Sequence, residues 1–187
     1  MIKKIMLLFI ITMAQLTAKS QDFKLNAILD QEVSCKGNND GSIQASCIPE
    51  GDYKYMISRG KFTDSNPSGF FRDLAPGVYT ITATNGKIIK KSKVTVTEPK
   101  ALAVKFVVDS YPSTDNINGG TLSIEISGGT VILQPYLIVW TNSKGIVLNE
   151  NEIYAMSLSN LKPDTYSVKI EDDHGCFLNK SYKLKKK

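Results

Sequence analysis

The strongest constraint on this 187-residue chain is that it says one thing twice. "DLAPGVYTITATN" at Asp73 to Asn85 is matched by "NLKPDTYSVKIED" at Asn160 to Asp172, and three further landmarks repeat in the same order. "DGSIQAS" at Asp40 to Ser46 corresponds to "GGTLSIEIS" at Gly119 to Ser127, and "GDYKYMISRGKF" to "QPYLIVWTNSKGIV". Each copy closes on one more strand-like run, "KSKVTVTE" or "NKSYKLKK". Self-similarity at this spacing predicts two modules of about 80 residues, near the lower end of ordinary domain size. We place them at 21–100 and 101–187.

Every landmark alternates with period two. Ile43, Ala45 and Cys47 share one face, as do Leu122, Ile124 and Ile126, then Tyr79, Ile81 and Ala83, and Tyr166, Val168 and Ile170. Alternation over such lengths is the mark of half-buried strands. Turn-forming clusters stand between them: "GNNDG", "SNPSG", "NGG", "SGG" and "DDHG". Outside the first twenty residues no amphipathic helical pattern appears. The expected fold is therefore all-β: two tandem immunoglobulin- or fibronectin-III-like β-sandwich domains. Within it the repeated phrase reads as a tyrosine corner, with Tyr79 and Tyr166 opening a strand and bonding back to the preceding turn. Leu74 and Leu161 close the base of each core, and Trp140, with Tyr55 in the first copy, supplies the large central aromatic.

Residues 1–20 carry Lys3 and Lys4, then an apolar run to about Leu16, then small residues around Ala18 and Ser20. That pattern predicts a cleavable secretory signal, since the run is shorter than the ~18 residues expected of a membrane span. No later stretch is long and apolar enough to span, so no membrane span is expected in the mature chain. Losing Lys3, Lys4 and Lys19 takes the formal charge from +5 to +2. The basic pI near 9.0 is thus largely a property of the leader and the Lys-rich tail. Nucleic acid is not an expected partner, because Lys91 and Lys93 lie on one solvated strand face without interleaved aromatics.

These residues carry a family resemblance. "VSCKGNNDGSIQAS" resembles the Cys-led opening of an SprB repeat, "DLAPGVYTITATNGK" its Leu-x-x-Gly-x-Tyr strand, and "VTVTEPKAL" its Glu-Pro linker. In the second copy "LSNLKPDTYSVKIEDDHGC" resembles the closing Asp-x-x-Gly-Cys segment, though Asp164 stands where the family has Gly and the opening lacks its Cys. The resemblance runs from about Glu32 to Lys185. It implies a secreted module of Bacteroidetes-type cell surfaces, known chiefly from gliding adhesins. The C-terminus, "NKSYKLKKK", is also similar to a type IX secretion sorting domain, which implies delivery beyond the outer membrane.

Cys35, Cys47 and Cys176 are an odd number for an exported chain. Cys47 shares the inward register of Ile43 and Ala45 and reads as a buried small hydrophobe. A bridge from Cys35 to Cys47 needs their Cα atoms within ~7 Å. Across a hairpin turning at Gly37 to Gly41, however, Cys35 faces Ile43. A bridge from Cys35 to Cys176 would tie the modules together, and spacing leaves the pairing open. His174 is the only histidine, no Gly-x-Ser-x-Gly motif occurs, and Cys/His zinc spacing is missing. The Asp and Asn clusters at Asn38 to Asp40 and Glu171 to Asp173 suit turns better than calcium loops. We expect no enzyme, no cofactor and no metal. The expected role is binding of a protein or glycan at the cell surface, with a secreted, surface or periplasmic location. Two loops are the candidates for recognition: one with Arg59, Lys61, Phe62, Phe70 and Phe71, of which one of the two adjacent phenylalanines is expected to complete a core edge instead, the other with Ile153 and Tyr154.

Overall fold

The computed structural model describes residues 22–133 and 135–187, and the expected secretory signal at 1–20 lies outside them. The described chain is all β. The first module contains β1 (Lys24–Gln31), β2 (Gly41–Ile48), β3 (Lys54–Arg59), β4 (Phe62–Asn66), β5 (Phe70–Leu74), β6 (Gly77–Thr84) and β7 (Ile89–Val96). They form an antiparallel sheet ordered β1-β2-β5 facing one ordered β4-β3-β6-β7. The second contains β8 (Ala103–Ser110), β9 (Gly120–Ser127), β10 (Leu137–Thr141), β11 (Ser157–Leu161), β12 (Asp164–Glu171) and β13 (Phe177–Leu184). Its sheets are β8-β9-β11 and β10-β12-β13. Each module is thus an immunoglobulin-like sandwich, and each encloses its own core. One is built on Ile43, Ile57, Tyr79 and Ile81, the other on Leu122, Trp140, Tyr166 and Val168.

The repeated phrase is the same corner in both copies. Tyr79 Oη donates to the Ala75 carbonyl at 2.9 Å and Tyr166 Oη to the Lys162 carbonyl at 2.9 Å, with both rings buried. Just before each corner the chain turns through a left-handed residue, Asp73 at φ 57° and Asn160 at φ 58°. Asp and Asn tolerate that region better than other side chains bearing a Cβ. The bulge lets Leu74 and Leu161 drop into the core opposite Gly41 and Gly120. A Cβ on Gly120 would lie 2.7 Å from the Leu161 carbonyl oxygen and 2.8 Å from Leu184 Cδ2, so the glycine of "GGT" is there to let the corner close.

Gly77 and Asp164 occupy the same corner position yet differ for a local reason. Gly77 has φ 147°, and a Cβ there would stand 2.7 Å from Arg59 Nη1. Arg59 fills that space because its guanidinium donates to the carbonyls of Ala75 and Pro76. In the second copy the register places Asn142 where the first has Arg59. No guanidinium needs room there, and Asp164 sits without a positive φ.

The central aromatic differs from expectation. Trp140 pairs with Val168, and the residue that pairs with the matching Ile81 is Ile57, not Tyr55. Tyr55 lies one step further along the strand, opposite Ala83. The first core recovers the lost volume from the other sheet, where Phe71 is buried at 1% exposure. Large and small residues have traded places across the sandwich, an exchange that close-packed interiors tolerate when total volume is kept.

The second copy also lacks a counterpart of β4. Its place along β10 is taken by Asn149, which is buried. The Asn149 side chain accepts from Trp140 N–H at 2.8 Å and donates to the carbonyls of Ile138 at 2.7 Å and Glu152 at 2.9 Å. One amide therefore satisfies backbone groups that a neighbouring strand would otherwise pair, as buried peptide groups require.

Candidate functional site

The loop expected around Arg59 to Phe71 is instead two strands, β4 and β5, joined by a turn at Pro67 to Gly69, and it scatters its candidates. Arg59 is a corner brace, its guanidinium carbon 5.0 Å from the centre of the Tyr79 ring. Lys61 is exposed in the β3–β4 turn. Phe62 remains 45% exposed while standing edge-on to Tyr79 with centroids 6.2 Å apart. Phe70 is half-buried under the Arg72 guanidinium at 4.9 Å. Phe71 is a correction: it is a core residue and not a recognition residue, because its pairing with Ile43 turns it inward and sends Phe70 out. The second loop keeps its candidates at the surface. Ile153 uses its carbonyl to accept from Ile138 N–H at 2.7 Å and leaves its side chain 47% exposed, beside the exposed Tyr154.

A stronger feature lies where the modules meet. Cys35 and Cys176 form a disulfide with Cα atoms 5.6 Å apart, joining the β1–β2 connection of the first module to the β12–β13 turn of the second. The β1–β2 connection is a longer loop than a hairpin at Gly37 to Gly41, which frees Cys35 from the strand register. Cys47 stays unpaired and buried. Around the bridge the Asx residues do structural work. Asp40 accepts from the Ser34 N–H at 3.0 Å and from the Ser34 hydroxyl, a bond that holds its pKa below the usual carboxylate value. Glu98 of the linker pairs with Lys36 and accepts from Gly37 N–H, and its pKa is lowered chiefly by the Lys36 ammonium.

On the other side of the bridge, buried Asp172 accepts from the N–H groups of His174 and Cys176 with one oxygen and from Thr130 N–H with the other. Asp173 accepts from the N–H groups of Ile132 and Leu133. The "DDH" cluster therefore binds the β9–β10 loop. Tyr136 Oη, donating to the Gly128 carbonyl at 2.7 Å, secures the base of that loop. What the loop presents is apolar: Val131, Ile132 and Leu133 are 52%, 64% and 86% exposed. Three successive large apolar side chains held outward on a braced backbone are unusual for a surface whose only task is solubility. Sequence reasoning passed over this triplet. Its one signal was an apolar run between "SGG" and Pro135 that fitted no alternating strand.

Ser34, Asp40 and His174 come together here, but not as a triad. The Ser34 hydroxyl is committed to Asp40, and His174 Nδ1 faces the Ser34 backbone carbonyl at 3.3 Å, so no imidazole stands ready to accept the hydroxyl proton. Among the described residues no group of three or more His, Cys, Asp or Glu side chains could hold a metal. Among the same residues no helix is long and apolar enough to cross a membrane.

No family model matches the chain, and no curated protein matches it. Solved structures resemble it weakly. The N-terminal four immunoglobulin domains of Dscam1 isoform 6.9 align at 14% identity and TM-score 0.36, covering 86% of this chain and 43% of that one. Extracellular domains 3–5 of Drosophila OTK align at 14% identity and TM-score 0.34, covering 88% and 61%. The C-terminal 282-residue fragment of intimin, solved with the intimin-binding domain of its translocated receptor, aligns at 11% identity and TM-score 0.43, covering 86% and 63%. The chain thus spans from under half to under two thirds of the length of these structures.

Proposed function

We propose that this chain is an exported, non-catalytic binding protein made of two SprB-like modules. Its contact surface is centred on the Val131–Ile132–Leu133 tip, flanked by the Ile153 and Tyr154 segment. The observation that carries this reading is the braced apolar tip itself. Water-exposed Leu133 gains nothing for the fold, whereas burying such side chains against a partner returns about 25 cal/mol per Å² of apolar surface. Fixing the loop beforehand with Asp172 and Asp173 reduces the ordering cost of binding. The inter-module disulfide supports an oxidising compartment, since such bridges persist outside the cytosol. The test has two parts. In host cells, Cys35 and Cys176 should resist alkylation until a reductant is added, and external protease should reach the protein. A reduced, protease-inaccessible protein would overturn export. Beads coated with purified protein should attach to host envelope fractions, and I132D together with L133D should cut attachment at least fivefold without changing the melting temperature. Equal attachment would overturn the choice of surface.

A further inference from the structure

We propose that the two-module unit bears tension along a continuous line running through β1, the Cys35–Cys176 disulfide and β13, so that load bypasses both cores. The topology supplies the line. In β1, Lys24 pairs with Ile48 and Gln31 with Ser42, so the strand runs from the end of the first module away from the junction towards the junction. Cys35 follows four residues later and is joined to Cys176, the residue before β13. From there β13 runs away from the junction, Phe177 pairing with Glu171 and Leu184 with Asp164. Its end lies by the far loops of the second module, where Lys187 N–H donates to the Pro112 carbonyl at 3.0 Å. Force applied between the two ends therefore pulls β1 and β13 along their own lengths. Antiparallel ladder bonds stand perpendicular to the strands. Because both load points in each module lie on one strand, such a pull tenses β1 and β13 without drawing them past β2 and β12.

The bridge also sets how far the unit can lengthen. The two cysteines are 141 residues apart, and every strand from β2 to β12 lies between them. At about 3.5 Å per extended residue, that closed segment represents roughly 490 Å of chain that tension cannot reach while the bridge is intact. Among the described residues only Asp22 to Cys35 and Cys176 to Lys187 lie outside it, roughly 85 Å when fully drawn out. The inference concerns load entering at the two ends of the unit; the Val131–Leu133 tip lies inside the segment that the bridge closes, so the surface-binding reading does not enter it.

Single-molecule force spectroscopy tests this on purified protein pulled from its two ends between marker domains of known extension. Oxidised protein should lengthen by less than about 100 Å before the tether breaks, and a reductant should add roughly 490 Å. Increments of several hundred ångströms from oxidised protein would overturn the proposal, as would increments that ignore the reductant. The C35S/C176S variant should behave as the reduced chain. Should that variant fail to fold, adding reductant to folded wild-type protein before the pull supplies the same comparison. None of these outcomes depends on where the protein resides, so failure here is distinguishable from failure of the surface assignment.

Discussion

The two tyrosine corners make unequal demands on their hydroxyls, and that inequality can be measured. In the second module Tyr166 Oη donates to the Lys162 carbonyl at 2.9 Å from an exposed turn. Removing the hydroxyl loses a bond worth about 1 ± 0.5 kcal/mol net, and water can reach part of the carbonyl left behind. We expect Tyr166→Phe to cost about 1–1.5 kcal/mol. In the first module the Ala75 carbonyl receives Tyr79 Oη at 2.9 Å and also Arg59 Nη1 at 3.3 Å. Tyr79→Phe leaves the guanidinium in place and should cost only about 0.5–1 kcal/mol. In an Arg59→Ala background the backup is gone, and the cost of Tyr79→Phe should rise by about 0.5 kcal/mol or more, a coupling that a double-mutant cycle isolates. The chain's single tryptophan, Trp140, lies in the second core, so its fluorescence reports that module alone during urea unfolding. Far-ultraviolet circular dichroism follows both modules. For modules of this size 1 kcal/mol corresponds to about 4–8 °C in Tm, well above error. If Tyr79→Phe costs as much as Tyr166→Phe, or if its cost ignores Arg59, then the guanidinium does not share the corner carbonyl and the account of Gly77 fails with it.

Asn149→Ala should destabilise the second module by about 2–4 kcal/mol, read by Trp140 fluorescence, because the Trp140 N–H and the Ile138 carbonyl both lose a buried partner. Phe71→Ala should cost about 3–5 kcal/mol in the first module while Phe70→Ala costs under about 1.5, a contrast that urea unfolding by circular dichroism checks. Stability should fall at alkaline pH. Burial raises the pKa of both Tyr79 and Tyr166 in the fold, so their contribution is full below the unfolded value of about 10 and is lost as pH climbs past it. The Tyr79→Phe/Tyr166→Phe double variant should accordingly show a shallower decline in Tm between about pH 9.5 and 11.

The corners were legible because they are local. A Leu, a turn and a Tyr occupy fixed offsets in both copies, and alternation then assigned the inward faces of β2, β6, β9 and β12. Phe70 and Phe71 defeated the same logic, since two adjacent aromatics satisfy alternation in either phase. Only the pairing of β5 with β2 fixes which of them points in. The disulfide was illegible for a different reason: its cysteines are 141 residues apart, and nothing in their spacing encodes the end-to-end placement of the modules. Asn149 reads in sequence as one more polar loop residue within "NENE". Its role exists only once β10 has an edge to cover.

Those illegible features coincide with the differences between the copies. Where the first module guards its outer edge with β4, the strand is polar and short, with Thr63, Asp64 and Ser65 all exposed. Charge and brevity are the usual protection of an edge against chance strand pairing. Where the second module dispenses with that strand, the buried Asn149 side chain and a few backbone bonds from Val147, Leu148 and Ile153 cover β10, and the surrounding chain is released from strand alternation. The released segment is apolar: six of the twenty exposed large hydrophobic residues among the described residues fall between Ile146 and Met156. Exposed apolar side chains on the one edge that the repeat does not constrain add nothing to either core, which is the ground for extending the proposed contact surface to Ile153 and Tyr154.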